Sequence, residues 1–565
     1  MTHDKKEVSL LFEVLERKGV SHVVCSPGSR NAPLLTEVAQ RPTLHKHVVV
    51  DERSAAFIAL GIASASRRPV ALICTSGTAL LNYAPAIAEA YYQGVSLVVV
   101  SADRPTEWID QDDSQTLRQT DVFHNFCKAS YDISAGSGDS DYEWYVERIA
   151  NEGMIKTVEG KPGPVHFNVR LAPPLSTVAP RVENVRTIEL MGKERLVSDT
   201  DICRLAEMAK GKKILLVGGF MPPDKDTRRA VERFASLPQT AVMAETISNL
   251  GLPAECYMVD SMLCALSENE KQQIAPDIVI STGGSLVSRM LKEYLRSLSH
   301  IQHWSVGYSP VLADCFRHLS IKIESAAADF LTRFASAISH TDQDSQPQYS
   351  ALMHRMRETA RQRKKTDTGE TWCDMKAYDI VLNAIPSDAT LFLSNGTSIR
   401  YAQIIPVARH PESYCNRGVS GIDGSTSTAI GGALANNGRL TVLVTGDMSF
   451  AYDIGALGTR MAPPWMRIIV ISNGGGGIFR FIASTSGLPQ REQYFCADPH
   501  TPIKELAAAY GWQYFEATDA LSLRESLQNL FHPSPCPIIL NVVTPHEKSA
   551  EILRNYLSPY RHKNI

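Results

Sequence analysis

Short β-branched runs alternate along this chain with longer helix-forming stretches, and that cadence admits few folds other than parallel α/β sheets. Val70–Cys74 reads as a buried strand, followed by the turn Thr75-Ser76-Gly77, a small-residue helix through Ala79–Tyr92 and a second strand at Leu97–Ser101. Far along the chain the figure recurs at nearly equal length: strand Thr441–Thr445, turn Gly446-Asp447, helix Ser449–Thr459, strand Arg467–Ser472. The recurrence points to two domains of one topology. Between them Lys213–Val217, Thr240–Ala244, Asp277–Ser281 and Ile301–Val306 supply a third set of strands. A chain of 565 residues is too long for one core. We therefore expect three doubly wound α/β domains at residues 1–185, 190–345 and 373–565, with a linker over 346–372. The stretch from Thr341 to Gly369 is polar, Gln-rich and carries the basic run Arg361–Lys365, and it reads as a solvated helix and linker.

Bulk composition removes several classes of function. With 44% hydrophobic residues, 21% charged residues and a formal net charge of −3, the chain offers no field for nucleic acid or an anionic membrane. Eleven scattered cysteines without a C-x-x-C pair argue against a metal cluster or a disulfide framework and fit a reducing compartment. Met1 to Leu10 is polar and charged, without the apolar core of a signal peptide, and apolar runs such as Val95–Val100 are only strand-sized. The expectation is a cytoplasmic protein with no nucleic-acid or membrane partner.

The chemistry concentrates at Gly446-Asp447-Met448 and at Ser472-Asn473-Gly474-Gly475-Gly476-Gly477. Both clusters follow predicted parallel strands, so they sit at carboxyl ends of neighbouring strands, where open α/β sheets bind ligands. Asp447 offers a carboxylate and Asn473 an amide oxygen, the hard donors that Mg²⁺ shares with phosphate oxygens and water. Helix N-termini and glycine-rich backbone supply N–H groups for a diphosphate. Either cluster alone is an ordinary turn. Together they resemble the thiamine-diphosphate (ThDP) signature of Gly-Asp-Gly followed by Asn-Asn, with Met448 in place of the last Gly and Ser472 in place of the first Asn. A third motif, Val48-Val49-Val50-Asp51-Glu52-Arg53-Ser54-Ala55-Ala56, reads as a strand running into a small-residue helix. ThDP enzymes need a glutamate against N1′ of the aminopyrimidine, held in a poorly hydrated site, and Glu52 is the candidate.

Longer strings resemble one family over nearly the whole chain. They are Ser26-Pro27-Gly28-Ser29-Arg30-Asn31-Ala32-Pro33-Leu34, Thr75-Ser76-Gly77-Thr78-Ala79, Ser101-Ala102-Asp103-Arg104-Pro105, Asn416-Arg417-Gly418-Val419-Ser420-Gly421-Ile422-Asp423-Gly424 and Gly475-Gly476-Gly477-Ile478-Phe479. The chain is thereby similar to the 2-succinyl-5-enolpyruvyl-6-hydroxy-3-cyclohexene-1-carboxylate synthases of menaquinone biosynthesis. The resemblance implies decarboxylation of 2-oxoglutarate on ThDP and 1,4-addition of the succinyl carbanion to isochorismate. It implies ThDP and Mg²⁺, with Mn²⁺ the alternative ion, in a homodimer or homotetramer whose sites are shared between subunits.

By the same resemblance, Glu52, Ile422, Gly446, Asp447, Met448, Ser449, Asn473 and Gly475 hold the cofactor, with Asp447, Asn473 and the Gly475 carbonyl on the metal. Ser29, Arg30, Arg104 and Gln115 face isochorismate. Arg400 and Arg417 grip the succinyl carboxylate, while Ile422 wedges the cofactor and Ile478 and Phe479 wall off water. Independently of the family, Arg30, Arg104, Arg400 and Arg417 all fall in or beside loops after predicted strands, where planar guanidinium forks suit carboxylates. Two departures concern substrate contacts: Arg289 stands where the family usually has lysine, and Gly396 where serine is common, with Thr397 or Ser398 as neighbouring hydroxyls. The rival enzyme is an acetolactate-synthase-like carboligase acting on pyruvate, which would give Arg400 and Arg417 no distal carboxylate. A non-catalytic nucleotide-binding protein would explain the glycine turns but not Glu52 together with Asp447 and Asn473, and no G-x-G-x-x-G is present.

Overall fold

The computed structural model describes residues 5–134, 139–176, 180–192, 196–339, 347–482 and 484–560. It contains three all-parallel sheets with helices between their strands. In the first, the order is His45–Val48, His22–Cys25, Val70–Cys74, Leu97–Asp103, Val165–Arg170 and Ala129–Ile133. In the third, Glu412–Tyr414, Thr390–Leu393, Thr441–Gly446, Met466–Ser472, Ile538–Val543 and Gln513–Ala517 follow the same order of first to last appearance. The repeated sequence figure is therefore a repeated topology. The middle sheet has five strands, ordered Leu319–Ile323, Gln302–Val306, Ile278–Thr282, Ile214–Gly218, Thr240–Ala244. Central strands such as Val70–Cys74 are buried along their whole length because helices cover both faces.

Several local expectations shift, each for a physical reason. The helix read over Ala79–Tyr92 is two helices, Thr78–Leu81 and Ala84–Gln93, with Pro85 opening the second, where its missing N–H costs nothing. The helix read over Ser449–Thr459 starts earlier, as Asp447–Tyr452, and resumes as Gly455–Gly458. The break falls at Asp453, whose buried carboxylate accepts from the Ser427 backbone at 2.6 Å and hydroxyl at 2.9 Å. The strand expected to run into Glu52 ends at Val48, and Val50 is exposed. Leu319–Ile323, not anticipated, is a half-exposed edge strand.

The stretch expected as a solvated helix and linker contains helix Tyr349–Arg363, which docks on the middle unit. Tyr349, Met353 and Ala360 share its buried face; the Tyr349 hydroxyl donates to the Ile274 carbonyl at 2.8 Å and Arg363 pairs with Glu270 at 2.7 Å. Residues 341–346 of that stretch lie outside the described ones. No helix among the described residues is long and apolar enough to cross a membrane.

The first and third units meet where helix Glu52–Ser66 crosses helix Ser425–Ala435. A Cβ at Gly61 would lie 1.9 Å from the Thr428 carbonyl oxygen, and one at Gly431 2.0 Å from that of Ile58. Backbone contacts backbone there, so only glycine fits on either helix. The crossing fixes Glu52 and the third-unit loops in one frame.

Candidate active site

Strand Thr441–Gly446 hands directly into helix Asp447–Tyr452, and the neighbouring parallel strand Met466–Ser472 ends one residue before Asn473. Asp447 Oδ2 accepts from the Asn473 backbone at 3.0 Å and the Gly475 backbone at 2.8 Å, while Oδ1 accepts from Met448 at 2.7 Å. Burial raises the pKa of this carboxyl, and the three N–H donors pull it back toward the ionised form. The loop bends tightly: a Cβ at Gly475, whose φ is 74°, would lie 2.4 Å from the Cys496 carbonyl oxygen. Asn473 donates its side-chain amide to Asp374 Oδ2 at 2.8 Å, and among the described residues Asn473 Oδ1 accepts no hydrogen bond. Buried Asp374 is fixed in turn by the Thr544 hydroxyl at 2.5 Å and by its own N–H to Ser549.

These donors suit a hard divalent cation. Asp447 Oδ1 and Asn473 Oδ1 are oxygens of the required kind, and the N-terminus of the Asp447 helix suits a diphosphate. The Gly475 carbonyl, the third expected ligand, accepts from Arg480 Nη1 at 2.9 Å. Arg480 is 2% exposed; it also donates to the Asn473 and Gly474 carbonyls and pairs with Glu492 at 2.8 Å. A metal at Gly475 would share that oxygen with a guanidinium.

The loop carrying Arg417 and Ile422 is held from three sides. Asn395 donates to the carbonyls of Asn416 at 2.7 Å and Gly421 at 2.6 Å, and accepts from Arg417 Nη1 at 2.9 Å. The Ser449 hydroxyl donates to the Ile422 carbonyl at 2.7 Å, tethering the expected wedge to the helix that starts at Asp447. From the first unit, buried Glu89 accepts from Gly418 at 2.5 Å and Val419 at 2.7 Å. Arg417 Nε is buried without a hydrogen-bond partner among the described residues. Arg400 sits within electrostatic reach of Arg417, its pKa lowered by burial and partly restored by Asp260. The middle unit thus contributes two acids: Asp260, bonded by the Ser288 hydroxyl, and Glu245, which accepts from Val287 and Ser288. Burial raises the Glu245 pKa to about 7.

The two departures have local explanations. Arg289 is exposed and pairs with Glu293 at 2.6 Å, one turn along its helix. Gly396 has φ 99°, a conformation in which a serine would be strained, and the Ser398 hydroxyl is engaged with Tyr378 at 2.8 Å. Ile478 and Phe479 lie on the single turn Gly477–Arg480, with the Phe479 ring 5.7 Å from Phe495.

In the first unit Glu52 opens a helix capped by Asp51, which accepts from Arg53 at 3.1 Å. The Glu52 carboxylate makes no hydrogen bond or ion pair among the described residues. Buried Cys74 and Tyr83 nearby have pKa values raised first by burial and further by its charge. Arg30 is buried and donates to the Leu171 carbonyl at 2.9 Å, whereas Ser29 and Gln115 are exposed. Arg104 Nη1 pairs with Asp113 at 2.6 Å. Within the chain, Arg53 reaches the Tyr452 carbonyl at 2.9 Å and Asp453 at 3.6 Å, the end of the helix opposite Asp447. The structure therefore gathers Asp447, Asn473, Gly475, Ser449, Ile422, Arg400 and Arg417, and separately Arg30, Arg104 and Asp113. No hydrogen bond or ion pair among the described residues joins Glu52 to Asp447. Asp374, Glu89, Glu245 and Arg480 escaped the sequence reading; only Arg480, directly after Ile478-Phe479, carried a local signal.

Comparison with known proteins agrees with this geometry. Residues 6–122 match the family described as "Thiamine pyrophosphate enzyme, N-terminal TPP binding domain" and residues 395–542 the one described as "Thiamine pyrophosphate enzyme, C-terminal TPP binding domain". A 2-succinyl-5-enolpyruvyl-6-hydroxy-3-cyclohexene-1-carboxylate synthase of Porphyromonas gingivalis is 38% identical over 98% of this chain and 97% of its own length. Namesakes from Flavobacterium johnsoniae (35% identical, 97% of each chain) and Bacteroides thetaiotaomicron (33% identical, 100% of each chain) are also similar. With such identity over nearly full length, above a duplicated ThDP-type fold, the chain belongs to the thiamine-diphosphate-dependent 2-succinyl-5-enolpyruvyl-6-hydroxy-3-cyclohexene-1-carboxylate synthase family.

Proposed function

We propose that this chain decarboxylates 2-oxoglutarate and adds the succinyl unit in 1,4 fashion to isochorismate, releasing CO₂ and the cyclohexene carboxylate for which the family is named. The observation that carries the substrate assignment is the half-buried pair Arg400 and Arg417, with the buried Arg417 Nε lacking a partner among the described residues beside the tethered Ile422 loop. A buried, unpaired guanidinium N–H is costly unless an anion completes it. The distal carboxylate of 2-oxoglutarate does so, and pyruvate, the substrate of an acetolactate-synthase-like enzyme, has none.

Bound ThDP supplies the electron sink for decarboxylation. Asp447 and Asn473, with Gly475, would hold Mg²⁺ or Mn²⁺, and the turn at Gly446, Met448 and Ser449 would offer its helix N-terminus to the diphosphate. Ile422, held by the Ser449 tether, would support the cofactor. Glu52 holds and returns the proton at N1′ of the aminopyrimidine, from a helix start close to buried Cys74 and Tyr83. Ile478 and Phe479 exclude water from the reacting carbon. Ser29, Arg30, Arg104 and Gln115 receive isochorismate, with Arg289 at the rim. As the family resemblance implies, we place each site between two subunits of a homodimer or homotetramer in the cytoplasm. We draw the domains at 1–185, 190–345 and 373–565, and assign the helix within 346–372 to the middle unit on its packing. The test is turnover of 2-oxoglutarate with isochorismate beside pyruvate alone. Product and CO₂ from the first mixture are expected, and acetolactate from pyruvate would overturn the assignment.

A further inference from the structure

The segment that follows Arg104 carries a carboxylate of its own into the position where that arginine would meet substrate. Its two ends are fixed. At the start, the Arg104 backbone donates to Asp103 at 2.8 Å and Arg170 holds the Arg104 carbonyl at 3.0 Å. At the far end, fully buried Gln119 accepts from Gly77 at 2.8 Å and donates to the Asn168 side chain at 2.9 Å and the Ala102 carbonyl at 3.1 Å. Between these anchors the chain is largely exposed and takes left-handed backbone at Asp110, Asp112 and Gln115, with φ values of 61°, 57° and 55°. Asp110 and Asp112 tolerate that region more readily than most residues, and Gln115 does not. The bends bring residues 113 and 114 back onto Arg104: Asp113 Oδ2 lies 2.6 Å from Nη1, and the Ser114 carbonyl accepts from Nε at 2.8 Å.

Arg30 belongs to the same group. Burial is the main influence on its guanidinium, followed by repulsion from Arg104 and attraction to Asp113 and then Asp103. Two arginines thus share Asp113 as their counter-charge, since Asp103 is engaged with Asn168 and Arg170. The pair with Asp113 is also only partly solvent-shielded, at 19% and 32% side-chain exposure.

We propose that Asp113 is an internal carboxylate that occupies the Arg104 site and exchanges with a carboxylate of the ring substrate, so that it sets the affinity for that substrate. This rests on the reading in which Arg30 and Arg104 receive isochorismate. Two cations cannot be left bare at a site awaiting a dianion without mutual repulsion, and Asp113 offsets that in the absence of substrate. The same charge then competes with the incoming carboxylate. A negative residue kept at the site lowers affinity, and a neutral isostere raises it.

The experiment compares Asp113→Asn, Asp113→Glu and Arg104→Ala, each first checked for a wild-type melting temperature and Mg²⁺-dependent ThDP binding. Asp113→Asn is expected to lower the KM for isochorismate about three- to five-fold, the scale of a partly solvated ion pair. The KM for 2-oxoglutarate should not move, and Asp113→Glu should restore wild-type behaviour. Arg104→Ala should raise the KM for isochorismate alone. If Arg104→Ala does so while Asp113→Asn leaves that KM unchanged or raises it, Asp113 merely shapes the segment and the proposal is overturned by itself. If Arg104→Ala leaves the KM for isochorismate unchanged, the assignment of Arg104 falls and takes the proposal with it.

Discussion

Asn473 donates its side-chain amide to Asp374 Oδ2 at 2.8 Å, and this bond fixes the amide with its nitrogen on the carboxylate and its oxygen turned away. With nitrogen committed to a buried carboxylate, the oxygen is left for a cation. Groups that orient metal ligands in this way typically change metal affinity 10–100-fold when removed. Asp374→Ala is therefore expected to weaken Mg²⁺-dependent ThDP binding by about 10–100-fold. Asp374→Asn, which keeps an acceptor, should be milder. Calorimetric titration of ThDP at several Mg²⁺ concentrations measures both, and wild-type affinity in the alanine variant would remove Asp374 from the site.

Glu52 stands at a helix start, with no partner among the described residues and with buried Cys74 and Tyr83 nearby. Glu52→Gln should leave the fold and Mg²⁺–ThDP binding largely intact and slow both exchange of the thiazolium C2 proton and turnover. An amide cannot accept and return the N1′ proton, and general acid–base terms reach ~10²–10⁴-fold. Near-normal turnover with cofactor bound would reject the assignment.

How far the sequence reaches is visible in these two residues. Glu52 and Asp447 could be singled out because each opens a helix in a short motif whose residue types match a chemical need. Strands Val70–Cys74 and Thr240–Ala244 were legible to the residue, as β-branched runs bounded by turn formers. Asp374 was not: it lies 99 positions from Asn473, in an ordinary helix start with no local sign of its partner. Glu89 is hidden in an alanine-rich helix and acts 329 positions away on Gly418. Side chains that hold a loop by long-range contacts leave no periodicity or spacing behind. The docked face of helix Tyr349–Arg363 was obscured by its basic end, because Arg361 to Lys365 dominates the composition while Tyr349, Met353 and Ala360 decide the packing.

Arg400 and Arg417 are assigned to the distal carboxylate of the oxo acid, so their loss should discriminate between acids. Arg417→Ala or Arg400→Ala is expected to penalise kcat/KM for 2-oxoglutarate more than for 2-oxobutyrate, which lacks that group. A charge-assisted contact is worth ~1.5–3 kcal/mol, or about 10- to 150-fold. Equal losses for the two acids would show that neither arginine reads the distal end.

Glu245 links the middle unit to pH. Burial raises its pKa to about 7, against the pull of N–H groups from Ser288 and Val287. A carboxyl whose folded pKa lies above its unfolded value favours the fold fully below the unfolded value, and that contribution is lost as pH rises through the folded one. Between about pH 4.5 and 7 the wild-type fold should therefore lose stability on the order of 3 kcal/mol through this group. Glu245→Gln, which cannot ionise, should show a flatter decline in melting temperature over that window. Parallel curves for the two proteins would mean that Glu245 keeps an ordinary pKa.

The last prediction concerns assembly. Within one chain, Arg53, beside Glu52, reaches Asp453 at the far end of the helix that begins at Asp447. If the site is shared, Glu52 of one subunit serves the cofactor held by Asp447 of its two-fold mate. A Glu52→Gln chain and an Asp447→Ala chain, each inactive alone, are then mixed under subunit exchange. In a mixed dimer one site receives both lesions and the other receives neither. With equal amounts and random pairing, half the dimers are mixed, so about a quarter of all sites should be live. If both residues of a site came from one chain, every site would carry one lesion and mixing would restore nothing. Activity that stays at the level of the separate variants, with exchange verified by a mass-tagged subunit, would place Glu52 and Asp447 of each site in the same chain.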